Sequence, residues 1–193
     1  VRAVPDQVRL HPSGLAQFAE SIRDQWVKRF GIASRWQGQI HLQIIPSKLG
    51  DPARFGRIPN ATGSWDYRAS VPHLMPGREL TELIVDLLLT EFAGRYSSTD
   101  PVLPPWITPG TTELILQSKG PILFTPFAPQ AVGGLNFIHP LDPLHASREL
   151  IQKYKPISYL NLTLPPAHLS KGVQDPVYRS HAHLLVHKLL GLP

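Results

Sequence analysis

The chain has 193 residues, 42% of them hydrophobic, and 19 Lys and Arg against 14 Asp and Glu. That is enough apolar material for one substantial core, so a single domain over residues 1–193 is expected, whether or not a longer chain surrounds it. The charges are dispersed and no nucleic-acid-binding signature occurs, which speaks against a nucleic-acid partner; the lack of cysteine excludes disulfides and thiolate ligands, and no apolar run reaches the roughly 18 residues a membrane span needs.

In chain order, Ser13 is a candidate N-cap, and Leu15, Phe18, Ala19, Ile22, Trp26 and Phe30 recur at helical spacing until Gly31, which predicts an amphipathic helix. From Gln39 to Ile45, Ile40, Leu42 and Ile44 alternate with polar residues, the period of a half-buried strand. Pro46 to Ser64 is rich in Gly, Pro, Asn and Asp and reads as a loop. A second strand follows, with Trp65, Tyr67, Ala69 and Val71 alternating against Asp66, Arg68 and Ser70 before Pro72.

Arg78 to Tyr96 contains no proline, and its leucines and isoleucines leave only a narrow polar stripe through Glu79, Glu82, Asp86 and Thr90. A helix apolar almost all round is a buried one. Leu103 to Gln117 reads as a second, proline-initiated helix that Pro109 and Gly110 are expected to interrupt or bend. Residues 121–143 read as irregular. Short and longer helices follow at Ser147–Tyr154 and Pro176–Leu190, the latter with Tyr178, Ala182, Leu185 and Leu189 on one face. The order of elements predicts an α+β domain: a small twisted sheet packed on a long buried helix, with further helices C-terminal.

Two segments of this layout carry a resemblance. Leu89-Thr90-Glu91-Phe92-Ala93-Gly94-Arg95 closes the buried helix, and Leu103-Pro104-Pro105-Trp106-Ile107-Thr108-Pro109-Gly110 opens the next. Together they resemble the gluzincin zinc metallopeptidases, in which one helix carries HExxH and the following one a third ligand, Glu, in a pattern similar to Leu-Pro-x-Trp-Leu-x-Glu-Gly. Two His at i and i+4 face one zinc ion, and the Glu between them activates the metal-bound water.

Carried over position by position, Thr90 stands at the first His, Glu91 at the base, Gly94 at the second His and Pro109 at the third ligand. Only the base is kept, since Thr, Gly and Pro cannot replace the imidazole and carboxylate donors. A shifted register with Val85, Asp86 and Leu89 supplies no His either. The resemblance therefore implies a zincin-like fold whose metal site is lost, without cofactor, with Thr90, Glu91, Gly94, Trp106 and Pro109 marking the vestigial region.

Other candidates have plainer readings. His181, His183 and His187 lie close together, and His183 with His187 has the i, i+4 spacing of a helical metal pair, but the pattern reads better as solvated surface histidines. Glu82, Asp86 and Glu91 read as a solvated stripe, or as partners of Arg78 or Arg95, before they read as an acid/base pair. Neither a nucleophile elbow nor a glycine-rich phosphate cradle occurs, and the sequons at Asn60 and Asn161 are short patterns that arise by chance.

The expectation is a catalytically inactive, peptidase-like domain with a binding or structural role, its partner a peptide or protein segment. The alternatives are a hydrolase of another mechanism and an unrelated α+β interaction domain. The only methionine is Met75 and the chain opens at Val1, so a processed or excised form is expected. With the resemblance, this favours a secreted or periplasmic location.

Overall fold

The computed structural model describes residues 7–31, 38–46, 51–61, 64–95, 99, 101–117, 142–170, 172 and 174–191. They fall into two compact units, one ending at Pro101 and one beginning at Val102. The described residues are α+β, with seven helices, a three-stranded mixed sheet and a two-stranded ribbon. The irregular stretch expected at 121–143 lies almost wholly outside the described residues.

The first unit starts with β1 (Gln7–Arg9) and α1 (Pro12–Phe30). Helix α1 begins two residues earlier than a Ser13 cap would place it, because Pro12 already supplies the helical φ of the first turn. Its apolar stripe behaves as expected: Leu15, Phe18, Ile22 and Trp26 are buried, and Trp26 meets Phe92 edge-on with 5.7 Å between ring centres.

Three strands form the sheet in the order β2 (Ile40–Ile45), β4 (Trp65–Pro72), β3 (Arg54–Pro59). β2 runs parallel to β4, with Ile40 opposite Tyr67, and β3 runs antiparallel to it, with Gly56 opposite Arg68. β3 lies in the segment expected to be a loop. Its Gly56 and Pro59 mask the strand signal, yet Phe55 and Arg57 alternate inward and Arg57 stacks its guanidinium 3.8 Å from the Trp65 ring centre.

Directly paired residues share a face, so Ile40, Leu42, Ile44, Tyr67, Ala69 and Val71 line one side of the sheet. That side turns to α2 (Gly77–Gly94), reached through β5 (Leu74–Pro76), which pairs with β1. Helix α2 is buried nearly all round, as its composition requires: Leu80, Leu83, Ile84, Val85, Leu87, Leu88 and Leu89 are all covered.

The strand ends are pinned by one carboxylate. Asp66 Oδ1 accepts from the Gln39 N–H at 3.0 Å and from Asn60 Nδ2 at 3.2 Å, while the Asn60 amide also bridges to Ser64. The Gln39 N–H first, and Asn60 second, hold the Asp66 carboxyl below the usual range.

The second unit is helical: α3 (Ile107–Gln117), α4 (His145–Lys153), α5 (Tyr159–Thr163), α6 (Ala167–Ser170) and α7 (Asp175–Leu190). Pro109 does not bend α3. The helix starts at Ile107, which puts Pro109 in the first turn, where backbone N–H groups have no intrahelical acceptor to lose.

Helices α3 and α7 make the main contact of this unit, and Gly110 sets its closeness. A Cβ at Gly110 would lie 2.5 Å from the Ala182 carbonyl oxygen and 2.7 Å from Val186. Around it, Leu162, Leu169, Tyr178 and Ala182 form a cluster with Trp106 and Leu185 against it. The Tyr178 hydroxyl donates to the Leu162 carbonyl at 2.9 Å, and burial pushes its phenol up to about 12, which keeps it a donor. Leu189, expected on this face, is 45% exposed.

An alanine in the middle of a helix normally gains up to about 1 kcal/mol over glycine. Gly110→Ala is expected to reverse that sign, destabilising by about 1–3 kcal/mol in urea unfolding through the clash with α7. A stabilised variant would contradict the close crossing.

Candidate functional site

Helix α2 ends in the motif that the resemblance singles out. Thr90 is half-buried, and its carbonyl receives a long hydrogen bond of 3.4 Å from the Tyr67 hydroxyl. One residue on, Glu91 points into the unit and is 2% exposed. Arg95, one turn later with a side chain 7% exposed, closes over it. Its Nε lies 3.0 Å from both Glu91 oxygens and its Nη2 2.8 Å from Oε2.

This is the i, i+4 pairing that the sequence offered as an alternative to a solvated stripe, but it is a buried ion pair instead of a surface one. An ion pair at a surface is worth a few tenths of a kcal/mol; inside a protein, each charge depends on the other to remain there at all. A general base must offer an oxygen to water, and both oxygens of Glu91 accept from Arg95 in a place 2% exposed.

Gly94 fills the third place of the motif. A Cβ there would lie 2.7 Å from the Tyr67 hydroxyl, and Tyr67 is itself 1% exposed. The central strand of the sheet thus puts a phenol where a residue with a side chain at position 94 would need room. What space remains among Gly38, Trp65, Tyr67, Glu91 and Arg95 is about 10 Å³, the size of one water.

The donor set does not fit zinc. A catalytic zinc takes three protein ligands and keeps a fourth position open. Of the four motif positions, Gly94 and Pro109 bring no donor, Thr90 brings a neutral hydroxyl, and Glu91 is bound to a guanidinium. Among the described residues no three His, Asp or Glu side chains come together to hold a metal ion.

Trp106 and Pro109 belong to the second unit. Trp106 is half-buried against the Tyr178 and Ala182 cluster, and Pro109 is buried in the first turn of α3. Both have packing roles within that unit.

The C-terminal histidines differ from their sequence reading. His183 is fully buried, its Nδ1 2.9 Å from Ser147 Oγ on α4, and Gln117 Nε2 of α3 approaches the same hydroxyl at 3.5 Å. His181 accepts from the Ile157 N–H through Nε2 at 3.2 Å, so its Nδ1 carries the proton and donates to the Val177 carbonyl at 2.9 Å. His187 is exposed. The pair His183 and His187 is therefore split between core and solvent. The reason is that α7 is covered along a wider arc than its leucines mark, with Val177, Ser180 and Val186 buried as well.

A larger groove, of about 370 Å³, runs between α1, β2 and α2 and is lined mainly by Leu15, Ala19, Leu42, Ile84 and Leu88. Its charged lining residues, Glu20 and Arg23, pair with each other. Among the described residues no helix is long and apolar enough to cross a membrane.

Searched against protein-family models, curated proteins and solved structures, the chain matches none. Its site is thus read from its own residues.

Breaking the ion pair from either side leaves a buried charge alone. Glu91→Leu and Arg95→Met are each expected to destabilise by about 3–5 kcal/mol, while the double variant recovers most of that loss. Urea unfolding of the four proteins measures the cycle; additive single effects would contradict a coupled pair.

Proposed function

We propose that the chain is a catalytically inactive, gluzincin-like domain that serves a binding or structural role. One observation supports this above the others: the surviving base of the motif, Glu91, is buried and held through both oxygens by Arg95, beside a Gly94 position that Tyr67 fills. Zinc peptidase chemistry needs a Lewis acid and an activated water at that place. The motif positions offer the ligands for neither.

Loss of the ligands is compatible with a folded domain. A buried His or Glu without its metal is an unsatisfied polar group; Thr, Gly and Pro remove that burden. The partner in this reading is an extended peptide or protein segment, for which a sheet edge unpaired among the described residues offers backbone hydrogen bonds.

For a hydrolase of another mechanism, the C-terminal histidines supply the Ser147 and His183 pair. Those side chains are 2% and 0% exposed, which favours a packing role over contact with a substrate.

Purified protein is expected to carry substoichiometric zinc and to leave a fluorogenic peptide library uncut, with zinc added or removed. Stoichiometric zinc, together with cleavage that Glu91→Gln abolishes, would overturn the proposal.

A further inference from the structure

The side of the sheet turned away from α2 carries a charge pattern that packing does not explain. Register places His41 opposite Arg68 and Arg68 opposite Gly56, and in the next row Ser70 lies opposite Arg54. These residues share one face. His41, Arg54, Gly56 and Arg68 are exposed, and of these the charges of His41 and Arg68 act on Asp66. Arg54 and Arg68 are diagonal neighbours, about 7 Å apart at their Cβ atoms.

Like charges so placed oppose each other. The one acid of this face, Asp66, already accepts from the Gln39 N–H and from Asn60. The face therefore holds two guanidiniums and an imidazole against the single carboxylate of Asp66, on which His41 and Arg68 already act.

Gly56 makes the second arginine reachable from the side. A Cβ there would meet nothing within 4 Å, so no neighbour demands a glycine. Its lack of a side chain opens the outer strand, and Arg68 of the central strand becomes accessible across it. Among the described residues β3 is also an edge of the sheet. The Asn60 N–H donates to the Ser64 carbonyl, which fixes the alternation: Arg54, Gly56 and Ile58 bond toward β4, while Phe55 and Arg57 turn their backbone groups outward.

We infer that this edge docks an acidic extended segment of a partner protein. The segment adds as a strand along β3, hydrogen-bonds to Phe55 and Arg57, and carries an acid at every second residue. One carboxylate then meets Arg54 and the next crosses Gly56 to Arg68, the planar fork of arginine being suited to both. Pro59, which lacks an N–H, ends the pairing and sets its direction of growth away from that end. A nucleic acid fits less well. Readers of single strands stack bases on aromatic side chains, and this face has no Phe, Tyr or Trp, because Trp65 and Tyr67 turn to the other side.

The inference rests on the binding half of the proposed function. Fluorescence anisotropy of the full chain with a labelled peptide alternating Glu and Val, and with its Gln-for-Glu version, tests it. The acidic peptide is expected to bind about tenfold more tightly, with an affinity that falls as salt rises. Arg54→Glu with Arg68→Glu should abolish the preference, and Gly56→Glu, which places an acid beside Arg68, should weaken it. Arg29→Glu, on the exposed side of α1, should leave it unchanged, with circular dichroism confirming that each variant is folded.

Equal binding of the Gln peptide, or an acidic preference that survives the double reversal, would overturn the acidic partner and leave a binding domain standing. Binding of neither peptide would overturn the inference and leave the structural role. Preference for a single-stranded oligonucleotide over the acidic peptide would also overturn it, by giving the face to nucleic acid. None of these results bears on catalytic inactivity, which the zinc and cleavage measurements decide.

Discussion

Arg95 reaches back one helical turn and takes both oxygens of Glu91 inside a unit otherwise filled by leucine, isoleucine and aromatic rings. Neither charge is sustainable there by itself. Helix α2 can be apolar almost all round because its one deeply buried acid carries its own counter-charge on the same helix. The pair also decides what the end of α2 is able to do. With the carboxylate neutralised and Tyr67 against Gly94, the place where the resemblance expects metal and water is occupied by protein.

Each unit contains a comparable polar device. In the first, Asp66 ties the start of β2 to the turn between β3 and β4; in the second, the His183 and Ser147 pair joins α7 to α4, with the Gln117 amide of α3 nearby. Hydrogen-bonded polar groups of this sort fix which elements pack together, because a shifted packing would leave them unsatisfied. The sheet's open face is the exception. Its two guanidiniums and an imidazole face the single carboxylate of Asp66, and so the inference of a partner rests there and not on the motif.

Periodicity made the larger elements legible. The alternation through Ile40, Leu42 and Ile44, the stripe from Leu15 to Trp26 and the leucine-dense run from Leu80 onward each translate into a strand or helix close to the expected bounds. β3 was hidden because Gly56 and Pro59 are loop residues by propensity, and only pairing with β4 makes them a strand. Pro109 was read as a break because the true start of α3, at Ile107, depends on the turn that Pro104 closes. His183 looked like a surface residue because spacing on a helix gives its angle but not the width of what covers it. Of the candidate site, the missing ligands and the option of an Arg95 partner were visible in the chain. Tyr67 was not, since the contact joins residues 27 apart through the fold.

The claim that protein groups fill the place where the resemblance expects a metal is tested most directly by supplying the ligands of the zincin motif. Thr90→His with Gly94→His creates His-Glu-Phe-Ala-His, and its melting temperature is measured with and without zinc. The account predicts a variant less stable than the parent and not rescued by zinc, because a side chain at position 94 collides with Tyr67 and Arg95 keeps Glu91. A variant as stable as the parent whose melting temperature rises with zinc would contradict it.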